Sequence, residues 1–205
     1  MSPRSRIGLS GIVLAGGRSL RFGSDKLAAD VGGRPLVHRP IAALAAVCQE
    51  VIVVIGAGGS LVLPGSPGVP MRIVRDEEPG AGPLAALITG LAAAVAPVVV
   101  VAAGDMPGLV PALLTELARL AGLDGVDAAV LREGQVVRPL PMALRREVAI
   151  PRAGAIRAGG ASSLRALLDA LRVHAVDEDA WRGLDPAGAS LLDVDRPADL
   201  ARIGL

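Results

Sequence analysis

The stretch "LAGGRSLRFGSDK", Leu14 to Lys26, holds the single lysine of a chain whose other twenty cationic side chains are arginines. Gly16 and Gly17 close an apolar run, and Arg18, Arg21, Asp25 and Lys26 crowd the residues behind them. Glycines leaving a buried strand let backbone N–H groups come close to a phosphate, because they tolerate the dihedrals and put no side chain in the way. The spacing matches neither GxxxxGK[ST] nor GxGxxG, so neither common phosphate-loop fingerprint applies. Asp105 follows the most apolar run of the chain, "VVVVAAGDMP", where an aspartate can cap the turn ahead of Pro107. Asp195, in "DVDRP", is likewise placed to cap a helix. Both histidines, His38 and His174, lie away from these clusters.

Such side chains need a frame, and the alternation along the chain supplies one. "SGIVLAG", "VIVVIG", "MRIVRD" and "PVVVVAAG" read as buried strands. Helical patterns at Pro40 to Val47, from Pro83 through "GPLAALITGLAAAV", and from Pro111 to about Ala121 separate them. Strand and helix in turn predict an α/β fold with a largely parallel sheet, whose carboxyl edge is where ligands bind. "LAADVGGRPLV" predicts a Gly-Gly turn, and "AGGSLVLPGSPGVP" a loop. "GVDAAVLREGQVVRPLPMAL" predicts two strands about a Glu-Gly turn, "SSLRALLDAL" a capped helix, and "LLDVDRPADLARI" a final strand entering a short helix. From Arg132 to Arg165 seven arginines face two acids, a basic run that is either a solvated face or a holder of anionic substrate.

Length and composition bound the rest. A chain of 205 residues fits one domain, residues 1–205, large enough to bury roughly 70% of its unfolded surface. With one Phe, one Trp and no Tyr, the core is aliphatic, and stacking on nucleic-acid bases is not expected. The formal charge of +1 gives no polyanion-seeking field. The one cysteine, Cys48, reads as a buried thiol. No signal peptide and no apolar run of about 20 residues is present, so the expected compartment is the cytoplasm, with no membrane partner.

The stretch from Leu14 to Lys26 resembles the signature loop of nucleotidyltransferases of the nucleotide-diphospho-sugar-transferase fold, most of all the molybdenum cofactor guanylyltransferase family. "RDEEPGAGPLAALITGL", "AAGDMPGL", "RPLPMAL", "GGASSLRALL" and "DVDRPADL" follow in that family's order, and the resemblance covers nearly the whole chain. It implies a three-layer Rossmann-like sandwich, with nucleotide bound by the N-terminal half and acceptor by the C-terminal part. It also implies transfer of GMP from GTP to the phosphate of molybdopterin or molybdenum cofactor, with Mg²⁺ as cofactor and pyrophosphate as leaving group. Transient contact with molybdoenzymes or cofactor carriers is part of the same expectation.

By that resemblance Arg21, Lys26 and Asp105 are catalytic, and Gly16 and Gly17 cradle phosphate. Lys26 touches the triphosphate, where a compact charge on a thin stem suits a crowded pocket better than arginine's fork. Asp105 is the expected Mg²⁺ ligand, with Asp195 either a second ligand or a helix cap. Asp76 would contact guanine, while backbone at Leu14, Ala15 and Gly82 would complete the base and ribose pocket. Arg138 and Ser162 would hold the acceptor phosphate. Two alternatives stand beside this reading. A cytidylyltransferase on the same pterin is favoured by "GDMP" and "DVD" and opposed by "GPLAAL", and a non-catalytic nucleotide- or cofactor-binding protein is opposed by the joint presence of Arg21, Lys26 and Asp105.

Overall fold

The computed structural model describes residues 8–16, 26–65, 68–78, 80–196 and 199. Among them are seven strands: β1 (Leu9–Leu14), β2 (Glu50–Gly56), β3 (Met71–Asp76), β4 (Val98–Ala103), β5 (Ala128–Glu133), β6 (Val136–Arg145) and β7 (Val173–Val176). They form one sheet in the order β3-β2-β1-β4-β6-β5-β7, parallel throughout except for β6. The expected mostly parallel α/β architecture is therefore present. Strand residues divide by a period of two. Val13, Val53, Val100 and Ala143 face one core with α1 (His38–Ala45) and α3 (Pro111–Ala121). Ile12, Val54, Val101 and Met142 face the other, with α2 (Pro83–Ala93), α4 (Arg146–Ala158) and α5 (Leu164–Asp169). Side chains alternate across a pleated strand, so continuous Val/Ile/Leu runs can serve two cores at once.

Pro83 and Pro111 sit at the first turns of α2 and α3, where a missing N–H costs nothing. The Gly-Gly turn is a tight reversal closed by a bridge between Asp30 and Pro35, and Gly134 follows Glu133 in the turn joining β5 to β6. Cys48 is buried, and burial pushes its thiol up to about 12. Among the described residues no helix is long and apolar enough to cross a membrane.

Three features depart from the sequence reading. Helix α4 was not foreseen, because Pro151 and Gly154 interrupt its pattern; its buried Ala149 and Ala153 form only a narrow stripe. Strand β7 is four residues long and half exposed, too short to show a periodicity. The expected final strand does not form. A 3₁₀ turn at Ala189–Leu191 leads instead into an extended segment, residues 192–195, outside the sheet.

That segment is held from both sides. The buried Asp185 carboxylate accepts the N–H groups of Ala189 and Ser190 at 3.0 and 2.7 Å, and the Ser190 hydroxyl accepts the Val110 N–H at 3.0 Å. Val194 packs into a small cluster with Val31 and Leu36, and its N–H donates to the Asp105 carbonyl at 3.0 Å. The C-terminal segment is thus laid along the loop that leaves β4.

Candidate active site

The carboxyl ends of β1, β2 and β4 are stitched together by backbone. The Ala15 N–H donates to Val54 at 2.8 Å, the Gly104 N–H donates to Leu14 at 2.9 Å, and Gly16 lies beside Gly56. Leu14 and Ala15 thus lie at the carboxyl ends of these strands, with the Ala15 N–H already taken. Gly17 and Arg21 lie outside the described residues.

Lys26 opens a 3₁₀ turn, Lys26–Ala28, and is 8% exposed. Its Nζ donates to Asp105 Oδ2 at 2.8 Å and to Asp195 Oδ1 at 3.2 Å. Burial alone would lower its pKa, but the hydrogen bonds and charges of Asp105 and then Asp195 outweigh that and raise it above the ordinary value. Asp105 stands two residues past β4. Asp195 ends no strand, contrary to expectation; it reaches the site because residues 192–195 dock beside Asp105. Among the described residues no backbone N–H donates to its carboxylate. The Asp195 and Arg196 N–H groups donate to Asp199 Oδ2 at 3.0 and 2.8 Å, which leaves the Asp195 carboxylate to the lysine.

Asp193 was not among the expected site residues, yet it belongs to this cluster. Burial pushes its carboxyl up to about 6, the negative charges of Asp105 and Asp195 add to the shift, and Arg138 and Lys26 oppose it. Residues i and i+2 of an extended segment share a side, so with Val194 turned into its apolar cluster the two aspartates of "DVD" turn the other way. That spacing was the available signal.

Arg138 comes near through an irregularity in β6. Pairing with β5 jumps from Val130–Met142 to Leu131–Arg138, across the Pro139 and Pro141 that cannot donate to a ladder. Pairing of β6 with β4 ends at Met142, so the Val136–Arg138 end extends with β5 beyond β4. Arg138 then lies 3.8 Å from Glu133 and 3.9 Å from Asp193. Most of the basic run is committed elsewhere. Arg132 pairs with Asp177, Arg145 binds carbonyls at the end of α3, Arg146 donates to Leu91, Arg157 pairs with Glu78, and Arg165 pairs with Asp169.

Gly82 and Ser162, eighty residues apart, are brought into contact. A Cβ on Gly82, whose φ is +84°, would lie 2.9 Å from both the Ser162 Cβ and its carbonyl oxygen, and that carbonyl accepts the Leu84 N–H at 3.1 Å. Only glycine fits there. Ser163, not Ser162, caps α5, accepting the Ala166 N–H at 3.2 Å. Asp76 closes the edge strand β3, with its carboxylate accepting the Glu78 N–H at 3.2 Å.

Strand-end backbone, a buried lysine and a group of aspartates thus meet at the carboxyl edge of the sheet. A family described as "MobA-like NTP transferase domain" matches residues 11–176, and the chain belongs to it. A Chloroflexus aggregans protein named "Probable molybdenum cofactor guanylyltransferase" is 38% identical over 199 residues, 94% of this chain and 91% of its own. A Mycobacterium avium protein of the same name is 36% identical, over 94% and 93%. The crystal structure of molybdopterin-guanine dinucleotide biosynthesis protein A from Archaeoglobus fulgidus superposes with a TM-score of 0.73 over 95% of this chain and 96% of that one, at 21% identity. The crystal structure of 2-C-methyl-D-erythritol 4-phosphate cytidylyltransferase from Thermus thermophilus shares the fold, with a TM-score of 0.66 over 94% of this chain and 95% of that one, at 22% identity.

Proposed function

We propose that the chain is a molybdenum cofactor guanylyltransferase: a cytoplasmic, single-domain enzyme that transfers GMP from GTP to the phosphate of molybdopterin or molybdenum cofactor. The observation that carries this reading is the Lys26 ammonium held between Asp105 and Asp195 at the carboxyl edge of a parallel sheet, in a chain whose relatives bear that name over more than nine-tenths of both lengths.

The acceptor phosphate oxygen forms a bond to the α-phosphorus of GTP while the bond from that phosphorus to the bridging oxygen of pyrophosphate breaks. The nucleophile is already an anion, so no general base is needed. Catalysis rests on positioning and on cations that meet the charge building on the phosphates. In our reading the N-terminal half holds the nucleotide. Gly16 and Gly17 approach the phosphates, Arg21 and Lys26 meet their charge, and Leu14, Ala15 and Gly82 frame base and ribose. Asp76 accepts from guanine N1–H and its amine. The C-terminal part holds the acceptor phosphate with Arg138 and Ser162. The Gly82–Ser162 contact favours this division, since it makes the two halves of the pocket share a wall.

A divalent cation fits the residues present. Asp105, Asp193 and Asp195 outnumber Lys26 and Arg138 by one charge and offer hard oxygen atoms. Among the described residues no group of three or more His, Cys, Asp or Glu side chains could hold a metal ion without help. Mg²⁺ suits that, because it takes one or two carboxylates and fills its octahedron with phosphate and water. Asp105 and Asp195 would hold it, and when bound it would neutralise charge on the phosphates. Lys26 serves these carboxylates as resident counter-ion when nucleotide is absent.

The test supplies molybdopterin, Mg²⁺ and each of the four nucleoside triphosphates separately, and identifies any dinucleotide by mass. A guanine dinucleotide with stoichiometric pyrophosphate is expected. A cytosine dinucleotide would reassign the base, and no product with any triphosphate would overturn the enzymatic reading.

A further inference from the structure

We propose a second anion site, apart from the strand-edge cluster, in the cleft between α1 and the loop entering α3. The cleft encloses about 540 Å³, and its lining includes Arg34, His38, Arg39, Ala42, Ala43 and Leu109. Among the described residues no acidic side chain lines it, and neither do Lys26, Asp76, Asp105 or Asp195.

Of its two arginines, one is unspent and the other only partly used. Arg34 is exposed, and its guanidinium makes no hydrogen bond or ion pair with any described residue. Arg39 donates from one Nη2 to the Val31 carbonyl at 3.3 Å, while its Nε is buried with no acceptor, the one such side-chain atom among the described residues. Buried donors left unmet are rare and costly in folded proteins, and each one asks for a partner. His38 is fixed by its Nε2–H donating to the Val62 carbonyl at 2.8 Å.

The chemistry names the ligand class. Two guanidiniums bind the oxygens of a phosphate ester or carboxylate in paired hydrogen bonds, and Ala42, Ala43 and Leu109 accept a compact apolar body attached to it. The site takes a small amphiphilic oxyanion. The inference stands whether or not the chain transfers GMP.

Phenyl phosphate and benzoate serve as probes, titrated calorimetrically into the full chain and into Arg34→Ser, Arg39→Gln and Lys26→Met. At least one probe should bind saturably, and each arginine variant should weaken it about tenfold, the scale of one lost charge-assisted hydrogen bond. Lys26→Met should leave that binding unchanged. Tighter phenyl phosphate assigns a phosphate ester; tighter benzoate assigns a carboxylate. Arg34→Ser keeps the test decisive if Arg39→Gln disturbs the turn, because the Arg34 side chain holds nothing in place. Absence of saturable binding, indifference to Arg34→Ser, or loss in Lys26→Met would each overturn the site.

Discussion

Lys26 touches both Asp105 and Asp195 at hydrogen-bond distance from a buried position. An ammonium at the end of a thin stem can do this and can turn to an arriving phosphate; a planar guanidinium of larger breadth cannot occupy the same space. Lys26→Arg should therefore keep the fold and lose about 10²-fold in turnover, the scale of removing one electrostatic stabiliser; steady-state kinetics beside a thermal melt checks both parts. Lys26→Met should tighten Mn²⁺ binding in the absence of nucleotide by about tenfold, because a competing positive charge leaves the carboxylates. Electron paramagnetic resonance of free Mn²⁺ reads this directly, and unchanged or weaker binding would deny the counter-ion role. The two aspartates separate by degree. Asp105→Asn should be severe in turnover, whereas Asp195→Asn, more exposed and bonded to Lys26 at the longer distance, should mainly raise the Mg²⁺ concentration for half-maximal rate. Equal Mg²⁺ curves for Asp195→Asn and wild type would remove Asp195 from the metal site.

At the scale of elements, the site depends on a segment belonging to neither sheet nor helix. Residues 192–195 arrive because the 3₁₀ turn before them docks on the loop after β4, and Gly108 permits that contact. A Cβ there would lie 2.4 Å from the Ala189 carbonyl oxygen, backbone against side chain with no rotamer to relieve it. Gly108→Ala should cost about 1–3 kcal/mol, the range for overpacking a close contact. It should also speed hydrogen exchange at the Val194 amide, whose bond to the Asp105 carbonyl depends on the docking. Exchange at β1 and β4 should stay near wild type. Uniform acceleration across the chain would instead mean that the glycine supports global stability alone.

For the whole molecule, the sheet is one continuous surface with a core on each face, and its last strand is attached by few residues. Asp127, buried ahead of β5, makes a two-oxygen ion pair with Arg172 at 2.9 and 2.7 Å and accepts the Arg172 N–H at 3.0 Å, anchoring the start of β7. The side-chain hydrogen bonds of Arg172 hold this carboxyl down at about 2, against an ordinary value of 3.8, although burial pulls the other way. A depressed acid stabilises the fold fully above its unfolded pKa and loses that contribution as pH falls through the folded one. The stability gap between wild type and Asp127→Asn should thus be constant above about pH 5 and close between about pH 4 and pH 2. Its size should be about 1 kcal/mol, since Arg172 is open to solvent and screened. Urea melts across that range test it; a gap that persists at pH 2 would assign the effect to packing.

Local residue type and order determined the alternation of apolar strands and helices, the proline-started α2 and α3, the buried thiol, and the placement of Gly16 and Asp105 two residues past strand ends. Each follows from short-range rules of periodicity, backbone sterics and turn chemistry that act within a few neighbours. What the sequence could not express were pairings across long separations. The reversed β6 depends on which strands meet in space. Helix α4, with Pro151 inside it, has a weak local pattern and is held by its contacts with α2, α5 and the sheet. The meeting of Gly82 with Ser162, and the inclusion of Asp193 in the site, are likewise set by docking. The basic run illustrates the same limit. Its seven arginines read equally as a solvated face or as a holder of anionic substrate, yet each guanidinium is spent or left free according to which acid or carbonyl the fold brings within 4 Å. Charge is countable along a chain, but its compensation is a three-dimensional quantity, because Coulomb and hydrogen-bond energies depend on distances that only tertiary packing sets.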